Sequence, residues 1–382
     1  MKAKLYQYLE NKIVPHLKTK GVISNKPQLI LAFGDKKAIS QPDFYGHLRS
    51  SFPDAEIAIC STAGEIMDKE VTDESAVITA LEFDHTRIQT VSVGIKDFYN
   101  SFDAGVTLSK TIWKEDLCYV MVLSDGLLVN GSELIAGINS VLPANIPVTG
   151  GLAADGIEFH STAIGLNDVP MSGSIVVIGF YGKKLQIGHG SMGGWEMFGL
   201  AKKVTKSHEN VLYEIDNNNA LALWKEYLGI YADDLPWSAL LFPLAIIMPD
   251  SSELLVRTIL SIDEENQSLT FAGDIPQGAQ VKFMKANFDK LIDAASQAAA
   301  FSIEHKAKQS PDYCLLISCV GRKMILKNRV DEEVETVADM FDDTTVISGF
   351  YSNGELSPFN KEGRCQLHNQ TMTITTFYED TI

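Results

Sequence analysis

Cys60-Ser61-Thr62-Ala63-Gly64-Glu65 and Gly150-Gly151-Leu152-Ala153-Ala154-Asp155 share one pattern, a run of mostly small residues closed by an acid. Each stands seven residues after a proline, Pro53 and Pro143, and each spans five residues from first member to acid. A third stretch, Ser348-Gly349-Phe350-Tyr351-Ser352-Asn353-Gly354-Glu355, repeats the pattern with one more residue, six from Gly349 to Glu355. Working outward, each stretch has the same neighbours. An apolar strand comes first in the second and third copies (Tyr119–Leu123, Leu315–Cys319), and Leu29–Phe33 reads as a buried strand ahead of the first. A helix follows, near Phe44–Leu48, Glu133–Ile138 and Val337–Phe341. A short strand leads into the loop, and Ala76–Leu81, Ser174–Ile178 or Thr371–Thr376 closes the unit. Recurrence of one unit at this scale is the mark of an internally repeated fold. The expectation is an α/β protein of layered sheets and helices, in two domains that share a strand-helix-strand-loop-strand unit. Residues 1–205 hold two units, and residues 206–382 hold the third.

The remaining segments read less regularly. Leu5, Leu9, Ile13 and Leu17 recur every fourth residue and predict an amphipathic helix on the outside of the fold. Between the second and third units lies a glycine-rich run, Leu185–Gly194, and then a hairpin over Val204–Asn218. A helix is expected at Ala220–Leu228, strands at Leu254–Ile262 and Leu269–Ala272, a turn at Asp274–Gly278 and an Ala-rich helix at Asn287–Phe301.

Composition excludes several functions. The chain of 382 residues carries 32 basic against 49 acidic side chains, a net of −17. That balance repels nucleic acid and anionic lipid. The N-terminal residues lack a secretory apolar run, and Leu240–Met248 is too short to span a bilayer. A cytoplasmic protein is expected. Five cysteines without CxxC spacing argue against a disulfide framework and a cysteine zinc site. The eight histidines include no HxxxH or HExxH.

These motifs, in this order, resemble the FIST family in both its N-terminal and C-terminal domains. The resemblance rests on Cys60–Ile66, Pro147–Ala153, Ser318-Cys319-Val320-Gly321-Arg322, Gly349–Glu355, His368-Asn369-Gln370-Thr371 and the turn Asp274–Gly278. It covers about residues 25 to 380. It implies a sensory module for a small ligand, with amino acids proposed, that works beside a separate signalling protein such as a histidine kinase or a cyclic-dinucleotide enzyme. One subgroup binds haem to sense nitric oxide. No catalytic residue is assigned and the chain is not expected to be an enzyme.

Candidate ligand-binding residues lie where small-residue loops leave strand ends, the usual crevice of layered α/β folds. They are Cys60, Ser61, Thr62, Gly64 and Glu65 in the first loop, and Gly150, Gly151 and Asp155 in the second. The third unit adds Arg322, Tyr351, Glu355 and Asn369. Arg322 has the planar fork to hold a ligand carboxylate, while Glu65 or Glu355 would take an ammonium. Turn formation and a structural Arg–acid bridge are the alternative readings of these residues. His189, in Gly188-His189-Gly190, and His368 are the haem axial candidates. A third reading makes Cys60 or Cys319 the nucleophile of a hydrolase or transferase, although no Cys–His–Asn pattern supplies a base.

Overall fold

The computed structural model describes residues 1–24, 26–234, 237–247, 254–304, 310–360 and 363–380. The first unit contains β1 (Lys2–Leu9), β2 (Lys12–Lys20), β3 (Leu29–Gly34), α1 (Lys36–Ile39), α2 (Phe44–Ser51), β4 (Glu56–Ser61), β5 (Glu65–Met67), β6 (Glu70–Thr72) and β7 (Ala76–Glu82). The second contains β8 (Arg87–Gly94), α3 (Ser101–Ile112), β9 (Leu117–Ser124), α4 (Gly131–Val141), β10 (Val148–Leu152), β11 (Ile164–Leu166) and β12 (Ser174–Tyr181). The third opens with β13 (Leu185–Met192), which is followed by an inserted domain. The insert holds β14 (Glu196–His208), β15 (Val211–Ile215), β16 (Asn218–Asn219), α5 (Ala220–Leu228), β17 (Leu244–Ile247), β18 (Leu254–Arg257), β19 (Ile259–Asp263), β20 (Ser268–Phe271) and β21 (Gln280–Lys285). The third unit resumes with α6 (Phe288–Ile303), β22 (Tyr313–Cys319), α7 (Val320–Leu326), α8 (Val330–Ala338), β23 (Val346–Ser352), β24 (Gly354–Pro358), β25 (Cys365–His368) and β26 (Met372–Glu379).

One pairing scheme builds all three units. The first core strand runs parallel to the second, β3 with β4, β9 with β10 and β22 with β23. It runs antiparallel to the closing strand, β7, β12 or β26. The closing strand pairs in turn with the unit's leading strand, β1, β8 or β13. Since β13 pairs with β26, the third unit begins at Leu185, ahead of residue 206.

The units are also stitched in a ring. The strand after each small-residue loop leaves its own sheet and joins a neighbour's. β5 of the first unit pairs with β23 of the third, β24 of the third with β10 of the second, and β11 of the second with β4 of the first. Three six-stranded sheets result, ordered β11-β4-β3-β7-β1-β2, β25-β24-β10-β9-β12-β8 and β13-β26-β22-β23-β5-β6. Their inner faces meet in one core, where Phe33 packs on Phe350 at 4.8 Å and Tyr119 on Phe377 at 5.5 Å. Helices cover the outer faces, as amphipathic helices on a buried sheet must.

Glycine makes the close approaches in this ring possible. A Cβ on Gly150 would strike the Val122 carbonyl, and one on Gly349 the Leu316 carbonyl. The insert forms its own eight-stranded sheet around a separate apolar cluster.

The expected N-terminal helix is instead the β1–β2 hairpin, turned at Glu10 and Asn11 with φ of 47° and 60°. A spacing of four is also twice the strand period, so apolar residues four apart fall on one face of either element. β-branched Val14 and Thr19 and Pro15 favour an edge strand over a helix. The helix expected at Val337–Phe341 lies earlier, as α8. The region 254–262 is two strands rather than one.

Candidate functional site

The loops that leave the three units meet at a cleft of about 610 Å³. Its wall from the first unit holds Asp35, Ala63, Gly64, Glu65, Asp73 and Glu74. The second unit contributes Asp155–Glu158, and α7 with the turn after it contributes Val320, Lys323, Met324 and Lys327. The charge is strongly acidic, with Lys323 the cation set deepest.

Lys323 is placed by the first loop. Its Nζ donates to the Ala63 carbonyl at 2.9 Å, pairs with Asp73, and stands 5.7 Å over the Tyr351 ring. Only glycine at 64 permits this, because its φ is +134° and a Cβ there would strike Lys323 Nζ. Asp73 is 68% exposed, so that ion pair can open at little cost.

Beneath the floor lies the Glu65 carboxyl. It accepts from Thr62 Oγ1 at 2.5 Å and Ser75 Oγ at 2.9 Å. Burial pushes its pKa up to about 7, against the pull of those two hydroxyls. Across the cleft, Asp155 Oδ2 accepts the backbone N–H groups of His160 and Ser161, both at 2.7 Å, and so shapes the loop after β10. Its other oxygen, Oδ1, is buried with no hydrogen-bond partner among the described residues.

Of the residues singled out from sequence, Gly64, Glu65 and Asp155 border this cleft. Cys60, Ser61 and Thr62 lie behind it, fully buried; Ser61 Oγ accepts from Ala163 N–H and ties the first loop to the second unit. Gly150 and Gly151 sit in the core, where a Cβ on Gly151 would press on Ile317 and Phe350.

Arg322 does not face the cleft. Its guanidinium is 0% exposed, bonded to Glu333 and to the carbonyls of Gly193, Leu291 and Gln370. Tyr351 donates to the same Glu333 at 2.8 Å, which pushes the buried phenol up further. Arg322 is thus a structural bridge, made with Glu333 rather than with Glu65 or Glu355, and the deeper cation of the cleft is the next residue, Lys323. A helical reading of Val320–Leu326 would have turned residue 323 toward the first loop.

Glu355 mirrors Glu65 in the third unit. It accepts from Ser352 Oγ and Thr371 Oγ1, both at 2.8 Å, and burial raises its pKa to about 8. It lies in the core and not on the cleft. Asp155 has no such hydroxyl pair, so the acid of the second loop is not the structural counterpart of the other two. Asn369 is fully buried, its amide without a partner among the described residues.

A haem axial nitrogen must face an open apolar cavity. His368 is buried, with Nε2 2.9 Å from the Ser357 carbonyl, and burial pushes its pKa down to about 4. His189 borders a surface cleft of about 390 Å³ whose walls set Asn145 and Gln186 among Ala144, Pro147, Ile187, Phe301 and Pro358. The closed setting of His368 does not fit a porphyrin. Cys60 and Cys319 are buried thiols pushed well up by desolvation, the opposite of nucleophilic activation. No group of three or more metal-ligating side chains occurs among the described residues.

The FIST N domain family matches residues 28–218 and the FIST C domain family matches residues 220–358. No curated protein matches the chain. Two solved structures of cyanuric acid hydrolase span the whole chain and are spanned by it. One, from A. caulinodans, is 7% identical with a TM-score of 0.38, and the other is 10% identical with a TM-score of 0.30. Likeness at that level carries no argument. No helix among the described residues is long and apolar enough to cross a membrane.

Proposed function

The chain belongs to the FIST family through both its N and C domains, and on that premise we propose that it is a sensory protein whose three-unit cleft binds a zwitterionic small molecule of the amino-acid class. The supporting observation is that Lys323 and Asp155, whose Oδ1 has no partner among the described residues, line one cleft. A ligand carboxylate would replace Asp73 on Lys323, since Asp73 is the exposed and weakly held partner. The ligand ammonium would satisfy Asp155 Oδ1.

Signalling follows from the same exchange. Asp73 belongs to the turn before β7, and Ser75 in that turn holds Glu65. Releasing Asp73 frees the turn to move, and a ligand that favours the moved state shifts the population toward it. A separate signalling partner, of the histidine-kinase or cyclic-dinucleotide kind, would read that shift from the cytoplasm. The protein acts in this reading by binding rather than by catalysis.

Calorimetric titration of the purified chain with the common amino acids tests the proposal. At least one should bind, and Lys323→Ala and Asp155→Asn should each weaken it about tenfold or more. Failure of every amino acid to bind, or binding indifferent to both substitutions, would sink it.

A further inference from the structure

A second cleft lies in the crease between the three-unit body and the insert. It encloses about 330 Å³. The body contributes Gly126–Gly131 at the start of α4, Leu152, Phe159 and Asn353; the insert contributes Asn210, Leu260 and Phe271–Asp274. Clefts at domain junctions are a common place for small ligands.

Most polar groups on its walls are already committed. Asp125 Oδ1 accepts the N–H groups of Leu127 and Leu128 at 2.9 and 2.7 Å. Asn130 Nδ2 donates to Asp274 Oδ1 at 3.3 Å, and its own oxygen caps α4 through the Glu133 N–H. Asn210 Nδ2 donates to the Phe271 carbonyl at 2.7 Å. Asn353 is the exception. Its Oδ1 and Nδ2 are both buried, and neither has a hydrogen-bond partner among the described residues. A buried primary amide left unpaired on both atoms is costly; Asn369 and Gln370 share that state, and of the three Asn353 is the one that borders this cleft.

The electrostatics of the crease are close to neutral. No Lys or Arg borders it among the described residues. Asp274 is the acid on its wall, and behind it lies the buried Arg257, whose Nε donates to the Asp274 carbonyl at 3.2 Å. An anion would find no cation to pair with at the surface and would face the Asp274 carboxylate, and a cation would have to displace Asn130 Nδ2 from that carboxylate. The apolar walls, Leu128, Phe159, Leu260 and Phe271, suit a small hydrophobic body.

We infer that this crease is a second ligand site, for a small uncharged molecule bearing a primary carboxamide. The carboxamide pairs edge to edge with Asn353, its N–H to Oδ1 and its oxygen to Nδ2. The remainder of the molecule lies against Leu128, Phe159 and Leu260. The site is separate from the Lys323 cleft, and the two share only the loop of residues 155–160, which walls both. Because the crease joins two bodies, a bound molecule ties the insert to the ring of units.

Benzamide, benzoate and benzylamine share one ring and differ only in the head group. Calorimetric titration of the full chain with each should give binding by benzamide and at least about tenfold weaker binding by the two ions. Asn353→Ala should weaken benzamide about tenfold or more. Leu260 is 45% exposed, so Leu260→Trp fills the crease from a position that leaves the fold undisturbed. It should abolish benzamide binding with an unchanged melting temperature. Lys323→Ala, which strips the other cleft of its cation, should leave benzamide binding unchanged, so loss of amino-acid binding there is a separate result. The inference is overturned if benzamide does not bind, if benzoate or benzylamine binds as well, or if Asn353→Ala and Leu260→Trp bind benzamide like the parent chain.

Discussion

Removing the Arg322 guanidinium would leave the Glu333 carboxylate at 0% exposure with only Ser318 and Tyr351 as donors. An uncompensated buried charge costs about 3–5 kcal/mol. Arg322→Met should therefore lower unfolding stability by that order, measured by chemical denaturation. Arg322→Met with Glu333→Leu should recover most of it, because the charge is removed together with its partner. Glu355 makes a different case. Its pKa rises from near 4.5 in the unfolded chain to about 8 in the fold. The native state thus holds a proton that the unfolded state loses first, and stability falls as pH rises between those values by about 1.4 kcal/mol per unit. Glu355→Gln imitates the protonated acid, and the hydroxyls of Ser352 and Thr371 can rotate to suit an amide. Melting curves of the two proteins should agree most closely near pH 5 and separate in favour of Glu355→Gln up to about pH 8. A gap that stays constant over that range would show that Glu355 is not held neutral.

Among the elements, α7 and the first small-residue loop depend on each other through Gly64. Gly64→Ala places a methyl on Lys323 Nζ and puts an L-residue at φ +134°. It should destabilise by at least about 1 kcal/mol and weaken any ligand held by Lys323, which a parallel melt and titration would detect. The same loop shows what could be read from sequence. Its small residues and terminal acid marked a strand end, and the recurrence at Gly150 and Gly349 marked the repeat, because close backbone approach leaves glycine a narrow set of places. The setting of Arg322 is not legible in sequence because its neighbours in space, Glu333 on α8, Leu291 on α6 and Gly193 just after β13, are not its neighbours along the chain, and nothing local distinguishes a buried fork from an exposed one. Lys323 was missed for the same reason. The β1–β2 hairpin was hidden by apolar residues four apart, a spacing that both periods satisfy. The crease had no sequence signal, since Asn353 and Leu260 are brought together only by the packing of the insert on the ring.

For the whole molecule, the exchange of β5, β11 and β24 around the ring means that no unit can close its sheet alone, and the three should unfold as one body. The insert is different. Its chain enters at Glu196 and leaves at Lys285, residues that pair directly across β14 and β21. Antiparallel partners stand about 5 Å apart, a gap that a two-residue hairpin turn spans. The insert has its own apolar cluster, and the three-unit body has its own core. Replacing residues 197–284 with an Asn-Gly turn between Glu196 and Lys285 should leave a protein that melts cooperatively and still binds through Lys323 and Asp155. It should lose benzamide binding, since half of the crease goes with the insert. Calorimetry on the excised protein separates the outcomes. Retained benzamide binding would place that ligand elsewhere on the body, and a non-cooperative melt would show that the ring needs the insert to fold.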